Sequence, residues 1–166
     1  MDLNEAFKVA MQGEIEGREL YAAAAEKVSD AKAKQVFSNL SKEENLHFEH
    51  LQKMAQSHFE GKPIVIPQLA KIETFADAQS PIFTREFKDF VKGRHFEMAT
   101  LSIGVKLELE SSKFYREMAE STEDQSLKDF FRYLSEWEEG HYQALKRQIG
   151  FLQENYELQN SLFRSS

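Results

Sequence analysis

Glu44-Asn45-Leu46-His47 and Glu138-Glu139-Gly140-His141 are the two stretches whose reading decides the fold of this chain. Both are Glu-x-x-His. On a helix, residues three apart share a face, so a carboxylate and an imidazole can reach one point. The two copies lie 94 positions apart. Shifting the sequence by that amount aligns residues 14–51 with 108–145 without a gap. The shift pairs Glu14 with Glu108, Tyr21 with Tyr115, Phe37 with Phe131, Ser41 with Ser135, Glu44 with Glu138, His47 with His141 and Leu51 with Leu145. Generic helical composition supplies Ala and Leu matches. It does not supply both histidines, both tyrosines and the glutamates in one register. Two hairpins related by an approximate two-fold axis are expected.

Around these stretches the apolar residues recur at helical spacing. One stripe runs through Leu3, Phe7, Ala10, Glu14, Gly17, Tyr21, Ala25 and Val28, and a second through Val36, Phe37, Leu40, Glu44, His47, Leu51 and Met54. A third follows Leu101, Val105, Glu108, Ser112, Tyr115 and Ala119, and a fourth Leu127, Phe131, Leu134, Glu138, His141, Leu145, Ile149 and Leu152. All three prolines, Pro63, Pro67 and Pro81, lie in one middle segment with Gly61 and Ile64-Val65-Ile66. The long stretches on either side have none, which predicts two helical hairpins and one irregular crossover. Ser80-Pro81 is read as a helix start, followed by a short amphipathic helix carrying Phe83, Phe87, Phe90 and Val91. Ile64-Val65-Ile66 is read as extended packing against the bundle. The expected architecture is all-α, a four-helix bundle in a single domain, 1–166. Hairpin 1 covers about 2–59, the crossover about 60–93 and hairpin 2 about 94–155. Residues 156–166 are read as a tail, an interface arm or disordered.

Composition narrows the function classes. The 166 residues carry 21 Lys+Arg against 28 Asp+Glu, a net charge of −7, and no cysteine. A disulfide framework, thiolate metal sites and a cysteine nucleophile are excluded. The acidic balance argues against nucleic-acid binding. A mean hydropathy of −0.58 argues against a membrane span. The start of the sequence has no apolar signal region, so cytoplasm is the expected location.

Each apolar stripe contains a glutamate. If the first hairpin turns near Ser29, Glu14 and Glu44 each lie 15 residues from it, and a second turn near Glu123 places Glu108 and Glu138 likewise. All four glutamates and both histidines therefore fall at mid-bundle. Four ionised carboxylates in a dry core are strongly destabilising unless compensated, and two divalent cations would balance them. Two Glu and two Glu-x-x-His motifs from four helices form the ligand set of carboxylate-bridged di-iron and di-manganese bundles. Oxygen and imidazole donors suit iron, with manganese, cobalt or zinc as alternatives. The expected ligands are Glu14, Glu44, His47, Glu108, Glu138 and His141, with Glu44 and Glu138 bridging and one His per metal. Tyr21 and Tyr115, two turns after Glu14 and Glu108, are expected to hydrogen-bond ligand carboxylates. Glu16 and Glu110 turn to the outer face, and Glu43 and Glu139 are read as exposed. His50, His58 and His95 have surface or packing roles. Trp137 and the phenylalanines are read as core or interface. Gly17 opens space beside the site or permits close helix approach.

At these residues the chain resembles the rubrerythrin-like branch of the ferritin-like superfamily. The resemblance is carried by Gly13-Glu14-Ile15-Glu16-Gly17-Arg18-Glu19-Leu20-Tyr21, Glu43-Glu44-Asn45-Leu46-His47, Glu108 through Tyr115, and Trp137-Glu138-Glu139-Gly140-His141. It covers about 14–55 and 95–150. It implies a non-haem di-iron site, two Fe per chain, that reacts with H2O2 or O2 in oxidative-stress protection. It also implies a homodimer or larger homo-oligomer. Two departures stand out. There are no cysteines for a rubredoxin domain, so electrons would come from a separate rubredoxin-like protein or flavoprotein. Ser111 occupies the place of an extra carboxylate one turn after the third-helix ligand. The alternatives are a ferroxidase that handles iron as substrate, oxidation of an organic substrate in an adjoining apolar pocket, and a redox-silent structural metal bundle.

Overall fold

The computed structural model describes residues 2–28, 31–62 and 95–164. Among these residues the chain forms four helices, α1 (Leu3–Lys27), α2 (Ala31–Phe59), α3 (His95–Ser121) and α4 (Gln125–Arg164). The readings made for Ser29, the prolines, Ile64-Val65-Ile66 and the amphipathic stretch at 83–91 lie outside the described residues.

Local chemistry sets the helix ends. Asp2 caps α1, its Oδ1 accepting the Glu5 N–H at 2.8 Å. Asp124 does the same for α4, accepting the Leu127 N–H at 3.0 Å. At the end of α2, Gly61 adopts φ 62°, the left-handed conformation that costs glycine least. The Gly61 N–H then reaches the His58 carbonyl and the Lys62 N–H the Ser57 carbonyl, the Schellman closure. The second hairpin turns through residues 122–124, where the sequence places it. α4 runs 40 residues to Arg164, beyond the boundary expected near 155. The segment expected as a tail is helical there because nothing between Phe151 and Arg164 is Gly or Pro, so no residue stops the helix.

α1 pairs with α2, α3 with α4, and α1 with α3. The apolar core forms two layers. Phe7, Leu51, Met54, Tyr115, Phe131 and Leu134 belong to one, and Tyr21, Phe37, Leu40, Leu101 and Leu145 to the other. The start of α1, the end of α2, the end of α3 and the start of α4 share the first layer. α2 therefore finishes at one end of the bundle and α3 begins at the other, as a four-helix bundle with a long crossover requires.

The internal repeat is visible in the hydrogen bonds. Ser41 Oγ donates to the Arg18 carbonyl at 3.1 Å, and Ser135 Oγ to the Ser112 carbonyl at 2.9 Å. Arg18 and Ser112 are 94 positions apart, as are Ser41 and Ser135. One interaction is thus repeated in each hairpin.

Candidate metal centre

Between the two apolar layers lies a polar one. Glu14 comes from α1, Glu44 and His47 from α2, Glu108 from α3, and Glu138 and His141 from α4. None is more than 4% exposed. The i, i+3 spacing sets each histidine beside the glutamate of its own helix. His47 Nδ1 lies 3.7 Å from Glu44 and His141 Nδ1 lies 3.3 Å from Glu138. Across helices, His47 Nδ1 lies 3.3 Å from Glu14 and 3.0 Å from Glu138. His141 Nδ1 lies 3.5 Å from Glu44 and 3.6 Å from Glu108.

The six residues form two overlapping groups. Glu14, Glu44, His47 and Glu138 make one, and Glu44, Glu108, Glu138 and His141 the other. Within each group the candidate ligand atoms lie within 4.8 Å of one another. Glu44 and Glu138 are common to both, the places expected of bridging carboxylates, and each group has one histidine.

A family model described as Rubrerythrin matches residues 5–149. The chain belongs to the rubrerythrin family. A solved structure of a hypothetical protein from Pyrococcus furiosus has the same fold, with a TM-score of 0.70 and 25% identity over 93% of this chain and 92% of that one. None of the curated proteins matches the chain by sequence. Membership of the rubrerythrin family points to a di-iron carboxylate protein, and the donors of this chain fit such a centre. Glu14 Oε2, Glu44 Oε1, both Glu138 oxygens and both His47 ring nitrogens are buried with no aligned hydrogen-bond partner. Orphaned buried polar atoms are costly, and cations at their two points of convergence would satisfy them.

Electrostatics within this rubrerythrin-family core show how the metal-free chain copes. Burial raises the Glu14 carboxyl well above its ordinary value, with Glu138 adding to the rise and His47 opposing it. Burial does the same to Glu108, reinforced by Glu44 and Glu138. Burial pushes Glu44 and Glu138 upward, and Glu138 adds to the rise at Glu44, but the neighbouring imidazoles outweigh this and lower both from their ordinary value. Burial lowers the two imidazoles, yet the carboxylates win and raise both, chiefly Glu138 and Glu14 for His47 and Glu108 for His141. The shifts favour protons on both imidazoles and on Glu14 and Glu108, and charge on Glu44 and Glu138.

The tyrosines tie the hairpins together. Tyr21 of α1 donates its hydroxyl to Glu108 of α3, and Tyr115 of α3 donates to Glu14 of α1. Each hairpin thus orients the outer carboxylate of the other. Tyr115 also borders a groove of about 620 Å³ between α1 and α3, with Val9, Gly13, Leu107, Ser111 and Phe114 among its lining. None of the six clustered residues lines that groove, and Ser111 sits in it rather than among the carboxylates.

Two readings of the sequence are corrected. Glu43 is not exposed; it is 1% accessible and accepts hydrogen bonds from His141 Nε2 at 2.7 Å and Trp137 Nε1 at 3.1 Å. α2 meets α4 as well as α1 here, so its buried arc is wider than one apolar stripe. The signal was in the repeat: Glu43 aligns with Trp137, and a large aromatic marks a covered position. Glu139 is half-buried, within 3.5 Å of Ser112 Oγ, rather than fully exposed. Glu16 and Glu110 are exposed as expected.

Two glycines make the site possible. A Cβ on Gly104 would lie 3.0 Å from the Tyr21 hydroxyl. A Cβ on Gly17 would lie 3.2 Å from Cγ and 3.4 Å from Cδ of Glu44, so the glycine opens space for that carboxylate. Gly17→Ala is expected to fold, since alanine favours a helix interior by about 1 kcal/mol. The displaced Glu44 should weaken metal binding by about tenfold. Competition against a chromophoric chelator measures this, and unchanged affinity would contradict it.

Proposed function

We propose that this chain is a non-haem di-iron oxidoreductase that reduces hydrogen peroxide or dioxygen. The observation that carries the reading is the pair of buried clusters sharing Glu44 and Glu138. Glu14 and His47 would complete one iron position, and Glu108 and His141 the other. When bound, the irons would supply the electrons, each passing from Fe(II) to Fe(III). The chain contributes orientation and shielding. Tyr21 and Tyr115 fix the outer carboxylates, while the apolar layers keep bulk water away. Reduction of one peroxide takes two electrons and two protons and yields two waters. A donor protein of the rubredoxin or flavoprotein class would restore the electrons. A homodimer or larger assembly accompanies this proposal, supported by exposed Val9 on α1 and Ile103 on α3.

Ser111 favours a second reading, ferroxidase chemistry with iron as substrate. It offers no carboxylate to an iron that changes position. Stopped-flow mixing of the anaerobic Fe(II) protein with H2O2 or O2 separates the two. The oxidoreductase reading expects oxidation faster with peroxide than for free Fe(II), ending at two irons per chain. Retention of iron far beyond two per chain selects the ferroxidase. A rate no greater than that of free Fe(II) would overturn both.

A further inference from the structure

The two halves of the centre are built from repeated residues but supported differently. His141 Nε2 meets Glu43 at 2.7 Å, and Trp137 Nε1 donates to the same carboxylate oxygen at 3.1 Å. His47 has no such support. Its Nε2 is buried without a hydrogen-bond partner. The residue 94 positions after Glu43 is Trp137, and its ring stands edge-on to His47 with centroids 5.4 Å apart. Trp137 Nε1 also lies 3.0 Å from His141 Nε2, so the indole touches both histidines, and the buried carboxylate backs only His141.

We propose that Glu43 is a positioning residue that makes the two metal positions inequivalent, so that the position of His141, Glu108, Glu44 and Glu138 binds its ion more tightly and fills first. This rests on the metal-centre reading above. A carboxylate accepting the distal N–H fixes the imidazole tautomer, with the Nδ1 lone pair toward the cluster, and makes that nitrogen a stronger donor. The Trp137 N–H holds Glu43 in place, and the same indole leaves His47 free to choose its tautomer. Loss of such an outer hydrogen bond typically costs about 10- to 100-fold in metal affinity.

The test is Co(II) titration of the metal-free full chain at pH 7, followed by calorimetry and by the visible ligand-field bands. Wild type should bind two ions in steps about 10- to 100-fold apart. Repulsion between ions sharing two bridges also separates steps, so the variants decide. His47→Ala should keep the wild-type tight constant, while His141→Ala should bind only at the weaker level. Glu43→Gln, close in shape, should weaken the first step and bring the two together. Circular dichroism and the metal-free melt verify folding. Equal constants for His47→Ala and His141→Ala, or an unchanged first step in Glu43→Gln, would overturn the inequivalence while leaving a two-ion centre intact. Binding of fewer than two ions by the wild type would overturn both readings.

Discussion

Glu138→Ala is expected to remove both metal ions at once, whereas Glu14→Ala should remove one. Glu138 belongs to both clusters, and Glu14 only to that of His47. The loss should read directly as metal per chain after equilibrium dialysis. It should also be felt without metal. His47 Nδ1 lies 3.0 Å from Glu138, its nearest carboxylate, and His141 Nδ1 lies 3.3 Å away. Removing one partner of such a buried pair costs about 3–5 kcal/mol. Glu138→Gln guards against simple unfolding, because it keeps the shape and loses only the charge and one oxygen donor. Two ions retained by a folded Glu138→Gln chain would refute the shared-bridge arrangement.

Stripping the metal is the second large effect, and its size should depend on pH. For each ion present at about 1,000 times its dissociation constant, binding adds about 4 kcal/mol to stability. In a chain of this size that is about 8–16 °C of melting temperature. The pH dependence follows from proton binding. His47 and His141 hold protons more tightly in the folded, metal-free chain than in the unfolded one. Their stabilising contribution is fully present below the ordinary imidazole value of 6.5 and is lost as pH rises through the raised folded values. Glu14 and Glu108, also raised, act in the same direction above the ordinary carboxyl value of 4.5. Metal-free protein should therefore melt lower as pH climbs above about 6.5. The metal-bound form needs these groups deprotonated, so its ions bind more tightly over the same range. The two melting curves should diverge from pH 6 to pH 8.5. Parallel curves, or convergence, would contradict the exchange of protons for metal.

The bundle and the six clustered residues were legible because a charged residue inside an apolar stripe is costly, and a cost repeated in register demands a reason. Glu14, Glu44, Glu108 and Glu138 stood out against Phe7, Leu40, Leu101 and Leu134 on the same faces. Equal distances from the turns set their heights. Glu43 was not legible from periodicity, since one helical position away from Glu44 is about 100° of rotation. An isolated helix would turn that direction to water; in the bundle α4 covers it. Only the alignment of Glu43 with Trp137 carried the information. The length of α4 was missed for a different reason. The boundary expected near 155 lies within the helix, because the residues after Phe151 contain no stop signal.

Each cluster draws three residues from one hairpin and one from the other, and each tyrosine crosses the same divide. A hairpin folded alone would present an ion with three side chains and an outer carboxylate lacking its tyrosine. Full coordination is thus an assembly checkpoint. It certifies that two halves have met in the correct register, since a slip of one helical turn would carry Glu138 away from His47. In such a chain, metal uptake serves as the readout of completed folding.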